Sequence, residues 1–238
     1  MPSPIAFIIP ALNEEAALAP MLDGLRAALD AAACADADII VVDNGSRDAT
    51  ASVARKHGAR VVSEPHRGYG QACLAGIAAL SADTQIVGFL DADGSDDPED
   101  LLRLLTPVRE GRADLTLGSR IAAAKKNRGF TPQQAFGNWL ATGLMRVFFG
   151  ARYTDLGPFR VIRREALERL RMRDTNYGWT IEMQIKAHRL ELKTLELPVN
   201  YRQRIAGQSK ISGNLLGTFR AGWKILWTIA KYGLSSAR

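Results

Sequence analysis

The sequence predicts a single α/β domain in which a mostly parallel sheet is flanked by helices on both faces. Three observations predict it. Runs such as Ile5-Ala6-Phe7-Ile8-Ile9 and Ile39-Ile40-Val41-Val42 are apolar throughout, without the polar alternation of a sheet that has one wet face. Each run is followed by a polar loop and then by a longer stretch with helical spacing. The 238-residue chain, 47% hydrophobic and 24% charged, can bury one full core, and it carries no low-complexity tract or internal repeat.

The first strand closes at Pro10, and Asn13-Glu14-Glu15 opens a helix, acidic in its first turn, that runs to about Leu29. The second strand, residues 39–42, ends at Asp43-Asn44-Gly45-Ser46, where Ser46 is placed to cap a helix from Asp48 to about His57 that Gly58 stops. Residues 60–63 read as a third strand. The turn His66-Arg67-Gly68-Tyr69-Gly70 then leads into an alanine-rich helix over residues 71–80, and residues 86–90 form a fourth strand. Asp97 as N-cap, Pro98 at the first helical position and Glu99 and Asp100 in the first turn read as a helix start, hence as structural acids. A further strand, residues 115–120, leaves a polar end.

Beyond it the pattern changes. Residues 125–131 form a basic, glycine-containing loop, residues 132–149 and 177–190 read as helices, and residues 195–201 as an edge strand interrupted by Pro198. From 215 to 233, Leu215, Leu216, Phe219, Trp223, Leu226, Trp227 and Ile229 recur at helical spacing with Arg220, Lys224 and Lys231 between them. Those cations interrupt the stretch too often for a membrane span of ~20 residues. Packing on the domain is the commoner fate of such an amphipathic helix, and contact with an anionic membrane surface is the alternative. The organisation is therefore one domain over residues 1–213, with an amphipathic helix over 214–238.

The formal net charge of +6 conceals a division. Residues 1–118 carry 9 Lys and Arg against 18 Asp and Glu, whereas residues 119–238 carry 22 against 7. An acidic half able to hold a cation, joined to a basic half able to hold phosphates, suits a metal-assisted reaction on an anionic substrate; solvated charged faces are the plainer explanation. Cys34 and Cys73 lie far apart and form no metal or redox motif, so they read as buried thiols. No basic region precedes a hydrophobic stretch at the N-terminus, which predicts a cytoplasmic protein without a signal peptide. No nucleic-acid-binding signature accompanies the sequence pI of about 9.5.

The strongest local signal is Asp91-Ala92-Asp93-Gly94-Ser95 at the end of a buried strand. Carboxylates at i and i+2 on a chain leaving a strand can turn toward one cation, and oxygen ligands suit Mg²⁺ or Mn²⁺. An EF-hand loop would need Gly and Glu where Asp96 and Leu102 stand. A phosphatase of the haloacid dehalogenase type, with Asp91 as nucleophile, matches the motif literally, although that motif normally follows the first strand of its domain. The pair as a simple helix cap also stays open. Asp43 at a strand end can accept hydrogen bonds from a base or ribose, while Asn44-Gly45 alone is a tight turn.

In order and spacing these pieces resemble the family 2 glycosyltransferases of the GT-A fold, closest to the dolichyl- or polyprenyl-phosphate mannose and glucose synthases. The resemblance runs from Ile8 to about Gly213. It is carried by Ile9-Pro10-Ala11-Leu12-Asn13-Glu14-Glu15, Val42-Asp43-Asn44-Gly45-Ser46, Arg67-Gly68-Tyr69-Gly70, Asp91-Ala92-Asp93, Gly118-Ser119-Arg120, Asp155-Leu156-Gly157-Pro158-Phe159-Arg160 and Gly207-Gln208-Ser209-Lys210. It implies a nucleotide- and metal-binding half, 1–118, and an acceptor half, 119–213. Pro10, Asn13, Glu15 and Asp43 would cradle the nucleotide of a UDP- or GDP-sugar, and Asp91 and Asp93, with Ser95 beside them, would hold Mg²⁺ or Mn²⁺ on its diphosphate. Arg204 and Lys210 would close over the donor, and Arg120, Arg128 and Arg160 would meet the acceptor, a polyprenyl phosphate by this resemblance. The implied reaction is one displacement with inversion at the anomeric carbon. A lipid phosphate needs no deprotonation, whereas a hydroxyl acceptor requires a base, for which Asp155 and Glu182 are the candidates. A nucleotide-binding module without activity is the non-enzymatic alternative.

Overall fold

The structure is a computed structural model and describes residues 4–121, 132–206, 227–229 and 231–232. Its elements are β1 (Ile5–Ala11), α1 (Glu15–Ala31), β2 (Asp38–Asp43), α2 (Thr50–Lys56), β3 (Arg60–Ser63), α3 (Tyr69–Ala78), β4 (Ile86–Phe89) and a 3-10 turn, Pro98–Asp100. There follow α4 (Leu101–Arg109), β5 (Leu115–Ser119), α5 (Pro132–Phe149), β6 (Arg160–Arg163), α6 (Arg164–Leu170), α7 (Trp179–Arg189) and β7 (Thr194–Pro198). Among the described residues seven strands form one sheet in the order β3-β2-β1-β4-β6-β5-β7. All run parallel except β6, which is antiparallel to both β4 and β5. The mostly parallel sheet expected from the apolar runs is present, and Pro198 ends the edge strand β7 as its missing N–H requires.

Alternation along β1 shows how the sheet is sandwiched. Ile5, Phe7 and Ile9 join Leu18, Leu22 and Leu25 of α1 and Leu104 and Leu105 of α4 in one core. Ala6 and Ile8 join Cys73 of α3 and Trp179 and Met183 of α7 in the other. Each fully buried side chain of this size contributes roughly 1.5–3 kcal/mol, so covering both faces is what makes a continuously apolar strand stable. A third, smaller core joins Ala141 and Met145 of α5, Ile181 and Ile185 of α7, and Ile229 of the tail. Of the described tail residues, Ile229 and Tyr232 pack on the domain and Trp227 is exposed; residues 214–226 lie outside the described residues. No described helix is long and apolar enough to cross a membrane.

Three local readings need correction. The sequence reading placed no elements between 150 and 176, where β6 and α6 lie. β6 is short and begins and ends with arginine, so it lacks an apolar signature, yet Arg160, Val161 and Ile162 are all buried. Ser46 does not cap α2. Its hydroxyl accepts the Asn13 N–H at 2.9 Å, and Asp48 instead accepts the Thr50 N–H at 3.0 Å. Finally, α3 begins at Tyr69, two residues before its expected start. The structural reading of Asp97 and Asp100 holds. Asp97 accepts the Glu99 N–H and pairs with Arg202 at 2.6 Å, and Asp100 accepts the Asn200 N–H at 2.6 Å, tying the chain after β7 to the start of α4.

Glu182, a candidate base in the sequence, is a fully buried anchor on α7. Its carboxylate accepts the N–H groups of Arg173 and Asp174, accepts the Tyr232 hydroxyl at 2.6 Å and pairs with Lys186 at 2.6 Å. Burial alone would raise its pKa, but Lys186, Tyr232 and the two amides together hold it below the ordinary value of 4.5. A carboxylate so engaged is a poor proton acceptor and a strong tether. Because its folded pKa is depressed, its stabilisation is present above pH 4.5 and is lost as pH falls through the folded value. Glu182→Gln should therefore cost about 2–4 kcal/mol at pH 7. In urea unfolding, the gap between wild type and variant should narrow below pH 4.5; a gap independent of pH would contradict the ionic role.

Candidate nucleotide-diphosphate and metal site

The C-terminal ends of β1, β2 and β4 open on one side of the sheet, where ligands bind in doubly wound folds. β4 stops at Phe89, and Gly94, with φ of 71°, turns the chain back so that Asp91, Asp93, Ser95 and Asp96 lie in one hydrogen-bonded turn. A side chain at Gly94 would also strike Ile205. Asp93 accepts the Ser95 N–H at 2.8 Å through one oxygen and pairs with Arg204 at 3.0 Å through the other. Arg204 reaches Glu14 at 2.9 Å as well, bridging the loop after β1 to the aspartate turn. Asp91 donates its N–H to Asp96 at 3.2 Å.

One carboxylate oxygen on each of Asp91 and Asp96 is buried without a hydrogen-bond partner. Burial first, and the neighbouring Asp93 charge second, raise the Asp91 pKa to about 7, against the Tyr69 hydroxyl and the charges of Arg204 and Arg120. Asp96 is also raised well above the ordinary range, by burial and then by Asp91. Buried oxygens lacking donors are unusual, and a cation is the ligand that relieves them. Among the described residues no group of three or more His, Cys, Asp or Glu surrounds one point. The unpartnered oxygens of Asp91 and Asp96 are hard donors, of the kind that suit a cation such as Mg²⁺ that takes one or two carboxylates and fills its shell with phosphate and water oxygens.

Arg120 stands across from this turn. Its Nε and Nη2 grip both oxygens of Asp155 at 2.8 Å, its own N–H donates to the same carboxylate at 2.7 Å, and its guanidinium lies 5.0 Å from the Tyr201 ring centroid. Burial would lower the Arg120 pKa, but the Asp155 pair outweighs it and raises it. Asp155 also accepts the Leu156 N–H at 2.7 Å, so all of its acceptor directions are engaged. Expected as a possible base, Asp155 instead fixes a permanent cation in place.

Arg160 was expected at the acceptor. It lies 1% exposed inside the sheet, donating to the Gly157 and Thr180 carbonyls, and burial lowers its pKa although Tyr69, Cys73, Asp155 and Asp91 nearby act the other way. The guanidinium is enclosed, with its Nε buried and without a partner, and it places a positive charge near Asp91. Arg128 and Lys210 lie outside the described residues.

The nucleotide-side candidates form a second group. The Asn13 side chain accepts the Arg47 N–H at 2.8 Å, and Glu15 accepts the Ala49 N–H at 2.8 Å while its own N–H donates to Asp48. Asp43 accepts the Ser46 N–H, and Pro10 pairs with Val42 across the β1–β2 ladder. These contacts stitch the loops after β1 and β2 together. The sequence reading missed Asn44. Buried at the end of β2, it donates to the Glu64 and His66 carbonyls and accepts the Gly68 N–H at 2.8 Å, holding the loop that carries Tyr69 to Asp91. An asparagine next to glycine looks like a turn residue, so only the long-range partners disclose this role.

The model of the family described as Glycosyl transferase family 2 matches residues 6–171. An uncharacterized glycosyltransferase of Mycobacterium tuberculosis is 37% identical over 225 residues, covering 93% of this chain and 97% of the relative. The undecaprenyl-phosphate mannosyltransferase of Micrococcus luteus is 32% identical over 221 residues, covering 88% of each chain. Among solved structures, glucosyl-3-phosphoglycerate synthase from Mycobacterium tuberculosis, in complex with Mn²⁺, uridine diphosphate and phosphoglyceric acid, superposes with a TM-score of 0.78 at 25% identity, over 97% of this chain and 78% of that one. This places the aspartate turn after β4 in a glycosyltransferase frame and removes the phosphatase reading of Asp91. With an aspartate turn at a strand end, a fixed arginine facing it and a match spanning most of the sheet, this chain belongs to glycosyl transferase family 2 and has the GT-A fold.

Proposed function

We propose that the chain transfers a hexose from a UDP- or GDP-sugar to a polyprenyl phosphate, with inversion at the anomeric carbon. The observation that carries the donor half of this reading is the pair Asp91 and Asp93, with a buried oxygen lacking a donor, beside Arg204. Asp91 and Asp93, with Ser95 adjacent, would hold Mg²⁺ or Mn²⁺, which neutralises charge on the departing diphosphate. Arg204 lies where its guanidinium can pass from Asp93 to phosphate oxygens, an exchange between like partners. Asn13, Glu15, Pro10 and Asp43 shape the nucleotide floor, and Lys210 follows Arg204 in the same basic segment.

The acceptor half rests on Arg120. Locked by Asp155, it presents a fixed cation opposite the aspartates, suited to an acceptor phosphate, with Arg128, eight residues further along the sequence, as a second cation. A phosphate monoester is already anionic at neutral pH and can attack without a protein base. The engagement of both Asp155 and Glu182 agrees with that chemistry. The Micrococcus luteus relative, by its name, acts on undecaprenyl phosphate, and this supports the lipid acceptor.

An acceptor of that kind lies in a bilayer, and α5 offers a face toward one. Phe136, Trp139, Val147 and Phe148 are 62%, 67%, 77% and 61% exposed, and Arg146 and Arg152 stand exposed nearby. Aromatic and aliphatic side chains rimmed by cations suit the interface of an anionic membrane.

Two experiments test the reading. UDP or GDP should raise the melting temperature of the protein in the presence of Mn²⁺, and Asp93→Ala should abolish that rise; no rise with either nucleotide in the wild type overturns the donor site. Vesicles containing anionic lipid should sediment the wild type, and Trp139→Ser with Val147→Ser should release about tenfold more protein to the supernatant, as expected for removing two buried apolar anchors. Equal sedimentation of wild type and variant would place the membrane contact elsewhere, and no sedimentation of either would favour a soluble acceptor.

A further inference from the structure

We propose that Tyr232, near the C-terminus, is a positioning residue for the donor site, acting through Glu182 on the turn at 173–176 that abuts Gly68 and Gly70. The inference rests on the donor-site reading above. Its links are contiguous. The Tyr232 hydroxyl donates to Glu182 at 2.6 Å, and the same carboxylate accepts the Arg173 N–H at 3.0 Å and the Asp174 N–H at 2.7 Å. Asp174 in turn accepts the N–H groups of Asn176 and Gly178, at 2.7 and 3.1 Å, which closes the turn into one unit.

That unit leans directly on the loop of the site. The Thr175 carbonyl accepts the Gln71 N–H at 2.9 Å, in the first turn of α3. A Cβ at Gly68 would strike the Thr175 carbonyl, and one at Gly70 would strike that of Asp174, so the two backbones meet without room for a side chain. Between these glycines sits Tyr69, whose hydroxyl is near enough to Asp91 to hold its pKa down against burial. The other flank of the loop is held by Asn44, so the 173–176 turn supplies the opposing wall.

The tail touches this unit a second time. Thr228, 1% exposed, lies against Gly178, where a Cβ would meet its hydroxyl. Lys186 pairs with Glu182 and lies 5.7 Å from the Tyr232 ring centroid, and Arg189 donates to the Tyr232 carbonyl. Tail, turn and site loop are therefore coupled by a chain of mostly part-buried polar contacts.

Hydrogen exchange on the full chain tests the coupling, comparing wild type, Tyr232→Phe and Trp227→Ala, the last altering an exposed tail residue. Tyr232→Phe should speed exchange of amides in 173–178 and 68–72 roughly tenfold, as loss of one charge-assisted hydrogen bond predicts, while β2 amides stay unchanged. Trp227→Ala should leave both segments as in the wild type. Tyr232→Phe should also weaken binding of UDP or GDP with Mn²⁺ severalfold, and Tyr232→Phe added to Glu182→Gln should bring little further change. An increase confined to the tail and α7, or additive effects in the double variant, overturns the proposal. If the wild type binds no nucleotide with Mn²⁺, the donor-site reading fails, and the exchange pattern still decides whether tail and loop are coupled.

Discussion

Crowding of acidic groups at the end of β4 is the constraint around which the rest of the molecule is arranged. Asp91, Asp93 and Asp96 lie within one turn, and their mutual repulsion and desolvation are costly in a low-dielectric site. Three arginines answer them from different directions. Arg204 pairs with Asp93 from the chain beyond β7, Arg120 faces the turn from the end of β5, and Arg160 lies beneath it on β6. All three come from the basic half of the chain. The division of charge between residues 1–118 and 119–238 is thus a division between an acidic turn and the cations that make it tolerable.

This explains why the sheet continues past β4. A doubly wound half-sheet of β1 to β4 would present the aspartates without counter-charge. Inserting β6 antiparallel between β4 and β5 brings Arg160 opposite Phe89 in the ladder, two residues before Asp91. β5 then carries Arg120 off its C-terminal end, where Asp155 receives it. Close backbone approach lets these pieces meet: a Cβ at Gly157 would strike the Gly118 carbonyl, so the Asp155 loop could not otherwise lie against the end of β5.

Charged residues without solvent are where sequence and structure diverge most. Glu182, Asp155 and Arg160 attract chemical roles because acids and bases are the residues that catalyse. In the structure each is engaged by neighbours: Glu182 by the 173–174 amides and Tyr232, Asp155 by Arg120, and the two Nη atoms of Arg160 by main-chain carbonyls. The opposite error concerns Asn44, a turn residue by type, which organises the loop beside the aspartates through partners more than 20 residues away.

The sequence by itself determined the parallel character of the sheet, the strand-end position of Asp91 and Asp93, the helix start at Asp97 and Pro98, and the family. Each of these rests on local information, because apolar runs, spacing and capping chemistry act over a few residues. Tertiary structure decided the placement of β6, the commitment of Asp155 and Glu182, the burial of Arg160 and the packing of Ile229 and Tyr232 on the domain. Those outcomes depend on contacts between residues tens of positions apart, and whether a charge is solvated or paired is a property of what the fold brings beside it.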